Sequence, residues 1–291
     1  WYKTKSETIT FSEDGTTDFL AGATYEFLPY QGTIIVNDAS GMPMSILKVH
    51  KVTSEMLVVS TLGSETFGVW SKTQSGPTPD PGDHEWVDLG LPSGTLWATC
   101  NVGASSPEEY GDYFAWGETE PKSTYNWSTY KWMNAGQSIW SQINKYTFAD
   151  GQTDACWYSN GTFIGDGKTE LEAADDAATV NWGSGWQMPS AAQLHELYNS
   201  SYTTTEWTTQ NGVSGRKITS KSNSNSLFLP AAGCRDDTSL YGAGSYGYYW
   251  SRSLYADYSD FACYLDFSSG DIFWGSGRRY YGLSVRPVRV N

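Results

Sequence analysis

Residues 73–83 read Thr-Gln-Ser-Gly-Pro-Thr-Pro-Asp-Pro-Gly-Asp, and no other stretch restricts the fold as much. Each proline fixes φ and lacks an N–H, so the run fits neither a helix interior nor a central strand. It reads as a semi-extended tether of roughly 30 Å at most, from the rise of polyproline. The 291-residue chain is therefore expected to divide into a first domain over 1–72, a linker over 73–84 and a second domain over 85–291.

The first domain reads as an antiparallel meander or small barrel. Short β-branched or aromatic runs recur about every ten residues and are bounded by Gly, Asp, Ser or Pro. Ile9 and Phe11 alternate with threonines, Ser12-Glu-Asp-Gly15 forms a turn, and Tyr25 and Phe27 alternate with Thr24 and Glu26. Runs at 34–36, 46–49, 56–59 and 67–70 follow. A barrel this short is filled by its own side chains and acts as a spacer.

Composition limits the partners. The chain carries 32 acidic against 18 basic residues, a net charge of −14. An anionic surface disfavours nucleic acid and anionic membrane, since both recruit basic patches. Only 17% of residues are charged, and Ser, Thr, Asn and Gly fill the surface instead, as in secreted and cell-surface β proteins. The 14 Trp and 20 Tyr require a core built on large aromatics. No run of about 20 apolar residues exists to span a membrane as a helix. The chain starts at Trp1, which reads as a processed product, so any signal peptide or lipid anchor lies upstream. Cys100, Cys156, Cys234 and Cys263 form no CxxC pair; they are free thiols or form up to two disulfides, with three pairings open.

In the second domain, strands around 86–89 and 95–100 flank a Pro-Ser-Gly turn. Residues 120–165 are loop-rich, with Trp127, Trp132, Trp140 and Trp157 expected to pin the loops to the body. A helix is expected from Leu171 to about Thr179. A second is signalled by Ser190 as N-cap and Gln193 three residues later, with Leu194, Leu197 and Tyr198 on one face and His195 solvated. After Ser220 the chain returns to strands at 227–233, 248–251, 262–267 and 283–290. In the third of these, Cys263, Leu265 and Phe267 share one face, opposite Ala262, Tyr264 and Asp266. Residues 268–271 close a hairpin. Arg286 and Arg289 read as structural.

Between the last strands lie two aromatic, polar stretches. The first holds Tyr255, Asp257, Tyr258, Asp260 and Phe261. The second holds Phe273, Trp274, Ser276, Arg278, Arg279 and Tyr280. Rigid aromatics give large contact area at small entropic cost, and Asp and Arg beside them suit a sugar face or a protein hot spot. Both stretches read as display loops and as the ligand-binding site.

The motifs WVDLGLPSGTLWATCNVGA (86–104), GDYFAWGETEP (111–121), WGSGWQMPSAAQLHEL (182–197), LFLPAAG (227–233), GYYWSRS (247–253), ACYLDFSSGD (262–271) and YYGLSVRPV (280–288) occur in that order. Together they resemble the Fibrobacter succinogenes major paralogous domain, found on Bacteroidetes surface lipoproteins. That family is related to the formylglycine-generating-enzyme-like branch of the C-type lectin fold. The resemblance implies an α+β core, with a twisted antiparallel sheet, two helices and long loops. The last segment is similar to the variable regions of diversity-generating retroelement target proteins, which implies that exposed loop positions vary. The first domain resembles small lipocalin-like β modules of the same lipoproteins.

The resemblance also points to an enzyme as the rival reading, a formylglycine-type oxidase or a carbohydrate-active protein. The oxidases use a close cysteine pair, for which only Cys234 and Cys263 are candidates, in separate motifs. The carboxylate pairs Glu108-Glu109, Asp175-Asp176 and Asp236-Asp237 diverge as sequence neighbours and read as solvated acids or caps. No cofactor is expected, although Asp236 and Asp237 with Asp257 and Asp260 are candidate Ca2+ ligands. The expected protein is thus a non-catalytic, adhesin-like binder of a glycan or protein, secreted or on a bacterial outer surface. A fimbrial tip or structural subunit is the remaining alternative.

Overall fold

The computed structural model describes residues 84–290 continuously and, before them, the strands β1 (Tyr2–Lys3), β2 (Thr24–Leu28), β3 (Thr33–Asn37), β4 (Pro43–Val52), β5 (Met56–Thr61) and β6 (Phe67–Ser71). The expected strand at 9–11, the turn at 12–15 and the tether at 73–83 lie outside the described residues. The chain forms two compact units, Trp1–Pro79 and Asp80–Asn291. In the first, all six strands make one antiparallel sheet in the order β1-β6-β5-β4-β3-β2. Its alternation is visible in β3, where Ile34 and Val36 are buried and their neighbours are half-exposed.

The second unit is rich in short antiparallel sheets, with few helices. Strands β7 (Trp86–Asp88) and β8 (Thr95–Ala98) form the hairpin expected around the Pro-Ser-Gly turn. The small hairpin β9 (Tyr158–Ser159) and β10 (Thr162–Phe163) follows. Then come α1 (Ala177–Trp182) and α2 (Ala191–Glu196). A three-stranded sheet is built from β11 (Thr203–Gln210), β12 (Val213–Ser220) and β13 (Ser226–Pro230). The hairpin β14 (Cys234–Asp236) and β15 (Ser239–Tyr241) leads to the sheet of β16 (Gly247–Leu254), β17 (Phe261–Phe267) and β18 (Ile272–Arg278). Finally β19 (Val288–Val290) pairs with β8. No helix among the described residues is long and apolar enough to cross a membrane.

Helix α2 has the expected capping box. The Ser190 hydroxyl accepts from Gln193 N–H at 3.2 Å, and the Gln193 amide oxygen accepts from Ser190 N–H at 2.8 Å. The helix expected from Leu171 starts later, at Ala177. Asp176 is extended, and its carboxylate caps Thr179 N–H at 2.9 Å while also taking Met188 N–H at 2.8 Å. An N-cap conformation is incompatible with a helix running through it, so 173–175 form only a 3-10 turn.

The strand expected over 283–290 is regular only at its end. Leu283 bridges Phe114 and Ser284 bridges Tyr249. Arg286 turns inward, donating to the carbonyls of Ala98 and Thr99 and, at 2.8 Å, to Asn101 Oδ1. Pro287 then offers no N–H for a ladder. The hairpin of β11 and β12 lies where no strand is expected. Its Asn211-Gly212 turn has both residues at positive φ, a type I′ signature set among threonines of high strand propensity.

Three apolar clusters hold the second unit together. One gathers Trp116, Trp182, Trp186 and Trp250, a second Leu194, Leu197, Tyr249, Leu265 and Phe267, and a third Tyr125, Trp127, Trp157 and Tyr280. Of the four tryptophans expected to pin the loops, Trp127 and Trp157 are buried, Trp132 packs partly buried, and Trp140 stays exposed.

Candidate functional site

The strands β16, β17 and β18 pair in that order, which leaves β18 as an edge. The stretch expected to be a second display loop is therefore mostly strand. Two glycines disguise it, and they are required by packing: a Cβ at Gly275 would meet the Tyr264 ring at 2.5 Å, and one at Gly277 would meet it at 2.8 Å. Strand alternation sends Phe273 and Trp274 to opposite faces. Both remain about half exposed, at 48% and 51%, because no further strand covers the edge.

The other stretch is a loop. Tyr255 N–H donates to the Phe261 carbonyl at 3.1 Å, and Phe261 N–H to the Tyr258 carbonyl at 3.2 Å. Ser259 anchors it: its N–H reaches the Asp150 carboxylate at 3.0 Å, and its hydroxyl accepts Phe148 N–H at 3.1 Å. With that corner held down, Ala256, Asp257 and Tyr258 face solvent. The Asp257 carboxylate accepts from the Tyr255 hydroxyl, which raises that phenol above its usual range.

Loop and edge strand meet in one aromatic ladder. Ring centroids are 6.0 Å apart for Trp274 and Tyr255, 6.3 Å for Tyr255 and Tyr258, and 6.1 Å for Tyr258 and Phe261. Beside it opens a cleft of about 360 Å³, lined by Leu194 and His195 of α2, Leu254, Cys263, Tyr255 and Trp274. The cleft thus joins two residues singled out in the sequence to helix α2, which no local pattern links to them.

Other expected site residues fall elsewhere. Asp260 is buried, and that burial raises its carboxyl above the usual range. Tyr280 is buried too, edge-on to Trp127 at 4.8 Å. Arg279 is fully buried, donating to Tyr130 Oη at 2.8 Å and to the carbonyls of Tyr146, Ser259 and Lys145 at 3.0 Å each. These three are corrections to the display reading: a turn after β18 carries Arg279 and Tyr280 into the body, and Asp260, in the turn before β17, is covered there, its carbonyl accepting from Arg279 N–H at 3.1 Å. Ser276 is half-buried opposite Cys263 in the strand register, and Arg278 remains exposed.

The four cysteines are free thiols. Burial pushes Cys234 and Cys263 up to about 11, so both are protonated at neutral pH. Among the described residues no three His, Cys, Asp or Glu side chains cluster to hold a metal, so Asp236 and Asp237 do not join Asp257 and Asp260 in one ligand set. Instead Asp237 accepts from the Asn126 amide at 3.0 Å. Nor do Asp175 and Asp176 form a solvated pair, since both are buried.

On the sheet, Asp266 stands in register between Tyr248 and Phe273. Burial alone pushes its carboxyl from 3.8 up to about 6. The folded state therefore holds the proton more tightly than the unfolded chain. The ionised carboxylate costs stability increasingly as pH rises from about 4 through about 6. Asp266→Asn is expected to stabilise the protein by about 1 kcal/mol at neutral pH, a figure discounted for the group's partial solvation. The gain should vanish near pH 3, below both the unfolded value near 3.9 and the folded one, where both states are protonated. Urea unfolding at the two pH values checks this; an equal gain at both would contradict it.

A family model described as "Domain of unknown function (DUF8237)" matches residues 203–288. That span runs from the start of β11 to the start of β19 and includes the ladder and the edge strand. No curated protein and no solved structure matches the chain.

Proposed function

We propose that this chain is a non-catalytic, adhesin-like ligand-binding protein of a bacterial outer surface. Its second unit acts as a C-type-lectin-like head, and its first as a lipocalin-like spacer. The observation that carries the reading is the ladder of Trp274, Tyr255, Tyr258 and Phe261 beside an apolar cleft. Four rings tilted along one exposed border, backed by a packed sheet, are a rigid surface whose exposure folding alone does not require. Such rings suit the C–H face of a sugar or the hot spot of a protein partner. The exposed Asp257, bonded to Tyr255, and the exposed Arg278, in register with Phe261, add polar groups of both signs beside it.

Glycan-array and cell-binding assays with the purified chain provide the test. Tyr258→Ala and Trp274→Ala should each weaken the retained ligand by at least about tenfold, roughly 1.4 kcal/mol, as central aromatics do. Both side chains are half exposed, so the fold should be kept. Undiminished binding by both variants would remove the site assignment.

A further inference from the structure

A second concavity lies on the other side of Tyr264. It measures about 300 Å³ and is walled by Tyr241, Tyr248, Tyr264 and Tyr281, with Cys234, Asp236 and Leu283 completing it. The pieces come from four places in the fold. The β14–β15 hairpin supplies Cys234, Asp236 and Tyr241, β16 supplies Tyr248, β17 supplies Tyr264, and the segment after β18 supplies Tyr281 and Leu283. Cys234 and Asp236 alternate onto one face of their strand, while Arg235 turns to the opposite side, over the Tyr113 ring at 5.1 Å.

The chemistry of this wall is one-sided. Tyr248 and Tyr264 stand perpendicular, with centroids 5.6 Å apart, and form an aromatic corner. Burial raises the phenols of Tyr248, Tyr264 and Tyr281, so the rings are neutral and present their negative faces. Asp236 adds a carboxylate to the wall. Asp266 does not line the cavity itself but stands next to it on the same face of the sheet, across from Tyr248 in register and two residues along from Tyr264. Neither carboxylate forms one of the ion pairs among the described residues. No Lys, Arg or His lines the cavity; the exposed Arg278 reaches Tyr281 electrostatically from the end of β18.

We propose that this tyrosine-walled cavity binds an alkylammonium group, with quaternary ammonium the best fit. A cation over the faces of Tyr248 and Tyr264 gains cation–π attraction in a partly desolvated corner. It also supplies the counter-charge that the half-buried Asp266 lacks. A carboxylate kept there at a cost in stability is what a binding group looks like when its partner is absent. The inference does not rest on the aromatic ladder, since the two sites share only Tyr264 at their common border.

Calorimetric titration of the full chain with choline at neutral pH tests it, beside the neutral isostere in which carbon replaces the nitrogen. Choline should bind with a dissociation constant on the order of 1 mM or tighter, and the isostere at least about tenfold more weakly. Asp236→Asn and Asp266→Asn should each weaken choline by about tenfold, and Tyr241→Ala, at an exposed ring, by a few-fold. Asp266→Asn should do so while stabilising the fold, which separates lost binding from lost structure. Absence of heat with choline, equal binding of the isostere, or wild-type affinity in both Asn variants would overturn the proposal.

Discussion

Replacing Arg279 by Met should destabilise the second unit by about 3–5 kcal/mol, because the change strips a buried charged side chain from four acceptors at once. The guanidinium bonds the Tyr130 hydroxyl and three backbone carbonyls, at Lys145, Tyr146 and Ser259. It also lies over the Trp116 and Tyr130 rings at 4.8 and 5.3 Å. Without it those carbonyls lose their donors in a place that water does not reach freely, and each unsatisfied buried group costs about 1–3 kcal/mol. For a unit of this size the melting temperature should fall by about 10 °C or more. Arg279→Lys should recover little, because an ammonium cannot span acceptors arranged for a planar fork. Arg278→Met, one residue away and exposed, should shift stability by less than about 0.5 kcal/mol. Thermal and urea unfolding compare the three; an Arg279→Met variant within about 1 kcal/mol of the parent would refute the hub.

Asp175→Ala should cost about 2–4 kcal/mol and remove part of the acid sensitivity of folding. Its carboxylate accepts from Lys145 Nζ at 2.6 Å, Tyr146 Oη at 2.7 Å and Lys131 Nζ at 3.2 Å. Burial opposes ionisation, but the donors prevail and hold the carboxyl below its usual 3.8. A depressed folded value means the stabilisation is present above the unfolded value near 3.9 and is lost as pH falls through the folded one. Unfolding free energies measured between about pH 7 and pH 2.5 should therefore drop less steeply at the acid end for Asp175→Ala than for the parent. Parallel curves would show that the carboxylate is not ion-paired in solution. Asp266 is expected to act with the opposite sign, because it is half-buried with no donor among the described residues, whereas Asp175 is buried with three.

Both hubs serve one task. Residues 120–165 contain little regular structure, and tryptophans are the visible means of holding them. Trp127 and Trp157 do bury, yet Arg279 and Asp175 tie the same loops through their backbones and hydroxyls, together with Lys145, Tyr146 and Tyr130. Neither hub is legible locally. Arg279 follows a strand that Gly275 and Gly277 make look like a loop, between an exposed Arg278 and a Tyr280 that also turns inward. Asp175 resembles any acidic neighbour of a helix start. Their partners lie up to 149 residues away in the chain, so no window of sequence contains them.

Local chemistry determined what local chemistry can. The recurring β-branched runs specified the strands of the first unit, Ser190 and Gln193 specified the start of α2, and the Tyr- and Trp-rich composition of 255–274 marked a surface of rings. Asn211-Gly212 among threonines carries a hairpin signal of the same kind. These are propensities and caps, settled within a few residues. Tertiary structure alone decided which side chains of 278–280 face water, since burial depends on what packs above the chain. It also brought Tyr255 to Trp274, Asp266 to Tyr248 and Tyr241 to Tyr281, because pairing register and chain crossing, not sequence spacing, set those distances.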